Sequence, residues 1–238
     1  MIQIENLCKS FNKRKILNGF NLTIEKGQTT VILGESGCGK TIFLKHLIGL
    51  LQPDSGEIFF DGQRMNGLSR KDFSAMRKRI TLVFQQSALF DWLSVYDNIA
   101  LPLAEQKNIS GKKIHTEVTK YLKIVGLTGE ENKMPEELSI GMQKRVSIAR
   151  ALIFNPEYIL FDEPTTGLDP IIAHNILRLF EKLKKLNTTI LIVSHDIGVV
   201  FKIADKVAMM KDGKIVFEGS VADFENSSET YLKKFQVR

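Results

Sequence analysis

Polar and apolar residues alternate near the start of the chain, and later apolar residues gather in short unbroken runs. In residues 1–24 the alternation comes in brief stretches, which predicts antiparallel strands with one covered face. Residues 29–33 form a continuous β-favouring run, as expected of a strand buried on both faces. Helical spacing follows over residues 40–51, and Pro53 lies just beyond its end. The pattern therefore predicts a buried strand that leads through a short turn into a helix.

Four later runs have the length and apolar character of further buried strands. They lie at residues 80–84, 158–161, 189–193 and 206–210. Because helical segments alternate with these strands, the pattern favours a mainly parallel sheet with helices on both faces. Residues 93–154 differ, since helical patterns at 95–105, 112–125 and 139–154 follow one another there without a convincing strand.

Together these elements predict one domain made of several subdomains. An α/β core comprises residues 1–86 and 155–222 and begins with an antiparallel β subdomain, and a helical subdomain at 87–154 is inserted into it. Residues 223–238 have the pattern of a helical tail with one or two short amphipathic helices. A length of 238 residues suits this single large unit.

Composition narrows the classes of protein further. Hydrophobic residues make up 43% and charged residues 25% of the chain, which is typical of a folded globular protein. No stretch approaches the roughly 18 apolar residues of a membrane helix, and the first residues lack a signal-peptide layout, so we expect a cytoplasmic protein. The net charge of +6 comes from scattered lysines and arginines without interleaved aromatic residues, so no nucleic-acid partner is expected. Cys8 and Cys38 are expected to be free thiols.

The turn before the helix at 40–51 matches the phosphate-binding pattern G-x-x-x-x-G-K-[ST]. Its residues are Gly34, Glu35, Ser36, Gly37, Cys38, Gly39, Lys40 and Thr41. The glycines let backbone N–H groups converge on phosphate oxygens, and the helix N-terminus adds its positive dipole. Lys40 is expected to reach the β- and γ-phosphates, and the Thr41 hydroxyl to ligate Mg²⁺. The alternative is an ordinary glycine-rich turn, but a buried strand and a helix on its two sides favour a nucleotide site.

Two adjacent carboxylates follow the apolar run at 158–161. Asp162 is expected to hold Mg²⁺ through its water shell, and Glu163 to polarise a water that attacks the γ-phosphate. Acidic pairs after strands are often exposed turn residues, which is the alternative here. The phosphate-binding loop upstream favours the catalytic interpretation, and it predicts a P-loop NTPase (RecA-like) core for the α/β sheet.

Further segments resemble the motifs of ABC ATPase subunits over nearly the whole chain. Residues 138–142 resemble the ABC signature, Gln85 the Q-loop glutamine, residues 193–196 the switch-histidine segment, and residues 166–169 the D-loop. The resemblance implies an ATP hydrolase that works as a head-to-tail dimer, in which Ser139 of one copy faces the phosphate bound by the other. Gln86 lies beside Gln85, so the choice of Gln85 as the Q-loop glutamine stays open between these two residues. Ser139 also precedes a helical pattern and can cap that helix.

The resemblance assigns roles to individual residues. It implies ATP and Mg²⁺ as ligands, with Lys40, Glu163 and His195 in catalysis and with Thr41, Gln85 and Asp162 at the metal. The implied ATP-binding residues are Phe11, Gly34 to Ile42, Gln85, Ser139, Gly141, Met142, Asp169 and His195. Phe11 occupies the place of an aromatic that stacks on adenine, and its alternative is a core phenylalanine. Ile140 departs from the glycine that most members have, so we expect reduced or tuned turnover rather than an inactive site.

Residues 87–93 bring large apolar side chains, including Trp92, to the start of the helical subdomain. In a surface loop such a patch is usually an interface, so we expect a groove for a short helix of a separate transmembrane permease subunit. The alternative is a helical subdomain that buries these residues in its own core.

The sequences of several segments resemble those of the ATPases of Mla and Mce-type phospholipid transporters. These segments are residues 56–58, 61–62, 68–70, 76–79, 88–90 and 162–171. The resemblance implies phospholipid transport at the cytoplasmic face of an inner membrane, with a permease and with lipid-binding or accessory subunits as partners. A polar amino-acid or other small-solute importer is the alternative. An ABC ATPase that acts on nucleic acid or ribosomes is disfavoured because 238 residues leave no room for a second cassette or a long coiled coil.

Overall fold

A computed structural model describes residues 1–68, 70–106, 109–185 and 188–236 of the chain. Ser69, part of one segment of the phospholipid-transporter resemblance, lies outside the described residues, as do the last two residues of the predicted tail. The strands are β1 Ile2–Phe11, β2 Arg14–Ile24, β3 Thr29–Leu33, β4 Ser55–Phe60, β5 Gln63–Arg64, β6 Ile80–Val83, β7 Tyr158–Asp162, β8 Thr189–Ser194, β9 Lys206–Lys211 and β10 Lys214–Gly219. The helices are α1 Lys40–Leu47, α2 Arg70–Arg77, α3 Val95–Ala104, α4 Gly111–Val125, α5 Ile140–Leu152, α6 Pro170–Lys184, α7 Ile197–Ile203, α8 Val221–Glu225 and α9 Thr230–Gln236.

The central sheet has the strand order β10-β9-β3-β8-β7-β6. Its neighbours pair in parallel from β9 to β6, and only β10 pairs antiparallel, with β9. The predicted α/β fold with a mainly parallel sheet is therefore confirmed. β3, β7 and β8 are buried along their whole length, which explains why they read as continuous apolar runs. β10 was missed because it is an edge strand whose residues are alternately half-buried and exposed.

A second, antiparallel sheet forms the predicted β subdomain, with the order β2-β1-β4-β5. It shares a hydrophobic core with one face of the central sheet, where Ile32 of β3 joins Phe20 and Phe43. On the other face, Val31 and Leu33 join the core formed by the remaining helices. Alternate side chains of one strand thus enter two separate cores, as the period of two requires.

Helix α1 ends at Leu47, so the prediction that it continues to Leu51 is wrong. Gly49 takes a left-handed conformation with a φ of 66°, and the N–H of Leu50 turns back to the carbonyl of Lys45 at 2.9 Å. A side chain at this position would collide with Phe73, since an added Cβ would lie 2.0 Å from its ring. Glycine at a helix end favours this termination, and it overrides the apolar spacing that continues beyond it.

Helices α3, α4 and α5 pack against one another within the predicted helical subdomain. The tail begins slightly earlier than predicted, because Ser220 caps α8 in a reciprocal pair with Asp223 and the helix starts at Val221. Phe224 and Leu232 of the tail are fully buried. The described residues contain no helix long and apolar enough to cross a membrane.

Candidate nucleotide-binding site

The loop between β3 and α1 can follow its path only with glycine at certain positions. Gly39 has a φ of 111°, and an added Cβ would lie 2.9 Å from the Met210 side chain. At Gly34, an added Cβ would meet the carbonyl oxygen of Met210 at 2.7 Å. Strand β9 of the central sheet therefore lies directly against the loop, and the absence of side chains at these glycines allows the loop backbone to curl at the N-terminus of α1.

Lys40, the first residue of α1, is buried inside the curl of this loop. Its Nζ donates to the carbonyl oxygens of Gly34 and Glu35 at 2.7 and 3.1 Å. It also lies 3.3 Å from Oε1 of Glu163, with both side chains almost fully buried. The ammonium group is therefore held in one place and paired with an anion, which suits it to exchange that anion for a phosphate oxygen.

Asp162 and Thr41 bring two oxygen ligands together at the end of β7. The Thr41 hydroxyl donates to Oδ1 of Asp162 at 3.1 Å, across 121 residues of sequence. Burial raises the pKa of the Asp162 carboxyl, and the Thr41 hydrogen bond opposes this shift. Hard oxygen donors of this kind are the ligands that Mg²⁺ takes in proteins, so the pair fits the predicted metal position.

Glu163 lies directly after β7 with a φ of 48°, which is uncommon for a residue other than glycine. Its backbone N–H donates to the carbonyl of Val193 at 3.0 Å, which ties it to β8. Its Oε2 lies 2.8 Å from Nδ1 of His195 and accepts from the Thr166 hydroxyl at 3.1 Å. Because a carboxylate only accepts, Nδ1 of His195 is the donor in this contact. The carboxylate is thus oriented by a lysine, a histidine and a threonine.

A cavity of about 310 Å³ opens over these groups. Its lining residues are Ile16, Ser36, Gly37, Gly39, Lys40, Thr41, Ile42, Gln85, Glu163, Thr166 and His195. Gln85 lines this cavity and Gln86 does not, which favours the first of the two glutamines. Phe11, Ser139, Gly141, Met142 and Asp169 are not part of the lining. The resemblance placed the signature residues at the nucleotide of a second copy and the D-loop at the interface between copies, so for all of these but Phe11 a place outside the chain's own cavity is the expected one.

Phe11 ends strand β1 and is 41% exposed. Its ring has the ammonium of Lys9 at 5.5 Å from its centre. The alternative that Phe11 is a core residue is therefore wrong, and its contact with adenine stays a prediction.

The signature and D-loop segments lie at two neighbouring helix N-termini. Ser139 caps α5 by accepting from the N–H of Met142 at 3.3 Å, and Asp169 caps α6 by accepting from two N–H groups at 3.0 Å. Gly141 allows the helices to meet, because an added Cβ would lie 2.4 Å from Ile172. Ile140 is 61% exposed beside these caps. Ser139 and Asp169 lie on the surface of the chain outside its own cavity, whereas Thr166 of the D-loop segment lines that cavity.

Three residues of the site were not predicted from the sequence: Ile16, Thr166 in its contact with Glu163, and Lys144. Lys144 is buried, and its Nζ donates to the Gln85 carbonyl at 2.9 Å. Burial lowers the pKa of Lys144, while the charges of Asp162 and Glu163 act in the opposite direction. Lys144 stands one turn before the buried Ile148 of α5. A charged residue on the apolar face of a helix was the available signal.

Comparison with known proteins gives consistent matches. The family model described as ABC transporter matches residues 17–166. The intermembrane phospholipid transport system ATP-binding protein MlaF of Haemophilus influenzae is 40% identical over 99% of this chain and 89% of its own length. The methionine import ATP-binding protein MetN 1 of Listeria monocytogenes is 37% identical, over 99% of this chain and 71% of its own. The dimeric ATP-binding cassette MJ0796, solved in a post-hydrolysis state with ADP and Pi, superimposes with a TM-score of 0.85 at 32% identity, covering 93% of this chain and 99% of that one.

A parallel sheet whose central strand ends in this loop, with carboxylates on a neighbouring strand, defines a P-loop nucleotide hydrolase. The family match and the near full-length relatives place it within that class. The chain belongs to the ABC transporter family, and it is an ATP-hydrolysing subunit of that family.

Proposed function

We propose that this chain powers phospholipid transport through a separate permease, from the cytoplasmic face of an inner membrane. The observation that carries the proposal is the 40% identity to MlaF, which extends over 99% of the chain. Lipid-binding or accessory subunits are further partners under this proposal. A small-solute importer is the second candidate, and the 37% identity to MetN 1 supports it.

Binding of ATP is assigned to the cavity above α1. Backbone N–H groups of residues 34–39 and the ammonium of Lys40 receive the phosphates, as the helix dipole also favours. Ile42 and Ser36 line the same cavity. Phe11 is proposed to contact the adenine from the end of β1.

Mg²⁺ is assigned to the oxygen atoms of Thr41, Asp162 and Gln85. Thr41 and Gln85 line the cavity, and Asp162 is hydrogen-bonded to Thr41 at its edge. The ion supplies charge neutralisation on the phosphate oxygens when it is bound.

Hydrolysis is assigned to Glu163 as the group that orients and polarises water. In this structure one carboxylate oxygen of Glu163 lies near Lys40 and the other contacts His195. A γ-phosphate in the cavity competes with Glu163 for the Lys40 ammonium and for the N–H of His195. Under this proposal Lys40 and His195 turn to the phosphate, and Glu163 is left free to accept a proton from water.

A second copy of the chain completes each site under this proposal. Ser139 and Asp169 lie outside the cavity of their own chain, at helix N-termini that present N–H groups to an anion. The dimeric state of the similar cassette MJ0796 supports this arrangement.

Turnover by the Ile140→Gly variant tests the role of the unusual isoleucine at the start of α5. We expect ATPase activity to be preserved or raised, because glycine removes a side chain that is exposed beside the proposed phosphate-facing cap. Glycine at this place costs the helix about 0.5–1 kcal/mol at most, so thermal melting should change little. A tenfold loss of ATPase activity in a normally folded variant would show that the isoleucine itself is required.

The permease is assigned to an apolar groove between the core and the helical subdomain. The groove has a volume of about 410 Å³ and is lined in part by Phe84, Phe90, Pro102 and Arg150. The Arg150 guanidinium donates to the Ala88 carbonyl at 2.7 Å and so fixes one wall.

Trp92 stands at the edge of this groove, next to Phe90 with their ring centres 5.2 Å apart. It is 73% exposed, so the alternative that the helical subdomain buries it is wrong. We expect its fluorescence to shift when the permease binds, because an apolar partner removes the indole from water. The spectrum of the complex is compared with that of a complex built on Trp92→Phe, which isolates the signal of this residue. An unchanged emission maximum would argue against docking at the groove.

The lipid assignment is tested by purifying the chain with its co-expressed permease and identifying bound lipid by mass spectrometry. Phospholipid enriched over a detergent-matched control complex supports the proposal. Absence of lipid together with stimulation of ATPase activity by a small solute would favour the importer instead.

A further inference from the structure

The last described helix, α9, packs beside the phosphate-binding loop of its own chain. Leu232 is fully buried in the larger core, and the rings of Tyr231 and Phe235 lie 5.6 Å apart against the same core. Lys211 places its ammonium 4.5 Å from the Tyr231 ring centre. The pKa of Tyr231 is raised to about 12, mainly by burial and secondly by the negative charge of Glu35 in the loop. The helix is therefore anchored by its apolar face within reach of the loop.

Between α9 and the loop lies a cavity of about 330 Å³ that is separate from the one over Lys40. It is lined by Glu35, Ser36, His195, Lys234 and Phe235. Ser36 and His195 also line the nucleotide cavity. The two cavities are therefore neighbours that share these two side chains. Helix α9 lines the second cavity, on the side of the nucleotide site where His195 lies.

Lys234 is the cation that α9 contributes to this wall. Its side chain is exposed, and within the described part of the chain it makes no ion pair. Its neighbour Lys233 is also exposed but does not line the cavity. Of these two adjacent exposed lysines, Lys234 lines the cavity beside the loop and Lys233 does not.

We propose that Lys234 is a nucleotide-selectivity residue, which favours ATP over ADP by placing a positive charge beside the γ-phosphate side of the loop. The inference rests on the proposed nucleotide role of the loop and of His195. A triphosphate carries more negative charge than a diphosphate, and the added charge lies at its γ end. Because Lys234 lines a cavity that shares Ser36 and His195 with the nucleotide cavity, its charge acts most strongly on that end, and physiological salt screens the interaction over roughly 8 Å.

The experiment measures dissociation constants for AMP-PNP and ADP, each with Mg²⁺, by isothermal titration calorimetry. Lys234→Gln is compared with Lys233→Gln, which changes the net charge equally on the same helix. We expect Lys234→Gln to weaken AMP-PNP binding about three- to tenfold and ADP binding less, the size of one partly screened charge interaction. Lys233→Gln should bind both nucleotides with wild-type affinity. Lys234→Arg keeps the positive charge, so it should keep the wild-type affinity for AMP-PNP.

Thermal melting without nucleotide separates binding from folding, since neither lysine is buried. Equal constants for the two glutamine variants would overturn the proposal, as would an equal loss for AMP-PNP and ADP. Failure of the wild type to bind either nucleotide would instead refute the nucleotide site itself, so the two failures are distinguishable.

Discussion

Replacing Glu163 with glutamine is expected to lower ATP turnover by about two to four orders of magnitude, the usual contribution of a general base. The amide keeps the shape of the side chain but cannot take a proton from water. ATP binding is expected to persist, because Lys40 and the loop remain. The Lys40 ammonium also loses a competing anion at 3.3 Å. The measurement is steady-state phosphate release, together with size-exclusion chromatography in the presence of ATP, where a stable dimer should accumulate.

Glu157→Gln is the matched control for this variant. Glu157 lies just before β7, at the end of the strand opposite Glu163, and its ion pair with Arg79 is partly exposed. Glu157 does not line the nucleotide cavity, and an ion pair near the surface contributes about 0–1 kcal/mol, so turnover should be near that of the wild type. Undiminished hydrolysis by Glu163→Gln would refute the assignment of Glu163 as the base.

The Lys40→Ala variant is expected to lose most of its ATP affinity. The Lys40 side chain is 5% exposed and its ammonium is positioned by two loop carbonyls, so the charge is fixed at the proposed phosphate site with little water around it. Removing one partner of a buried, hydrogen-bonded charge pair costs about 2–5 kcal/mol, which corresponds to roughly thirty- to several-thousandfold in affinity. Calorimetric titration with ATP and Mg²⁺ measures the change.

Lys45→Ala provides the comparison for Lys40→Ala. Lys45 belongs to the same helix but does not line the nucleotide cavity. Its variant should bind ATP with nearly normal affinity. Melting curves confirm that both variants are folded before binding is compared. Tight ATP binding by a folded Lys40→Ala protein would show that the nucleotide is held elsewhere.

Sequence reasoning was most successful where a local pattern has one structural solution. The runs that became β3, β7 and β8 are buried on both faces, and the glycines between β3 and α1 stand where the backbone cannot accept a side chain. It was less successful at ends and edges. α1 stops at Gly49, and α8 starts at the Ser220 cap, although the apolar pattern alone placed both boundaries differently.

The site was only partly accessible to sequence reasoning for a related reason. The motif of the loop identified Lys40 and Thr41, and the acidic pair after an apolar run identified Asp162 and Glu163. Nothing local indicated that Glu163 would contact Lys40 and His195 together. Lys144 was missed because its partner, the Gln85 carbonyl, belongs to a distant element.

By itself the sequence determined the buried strands, the phosphate-binding loop, the Ser139 cap and the family, since each depends on neighbouring residues or on motif order. The tertiary structure decided which side chains share a cavity. It set Glu163 between Lys40 and His195, left Phe11 and Trp92 exposed, and brought Lys234 of the tail beside the loop. Such contacts join residues far apart in the chain, and they follow from strand order and packing, which no short-range pattern of residues encodes.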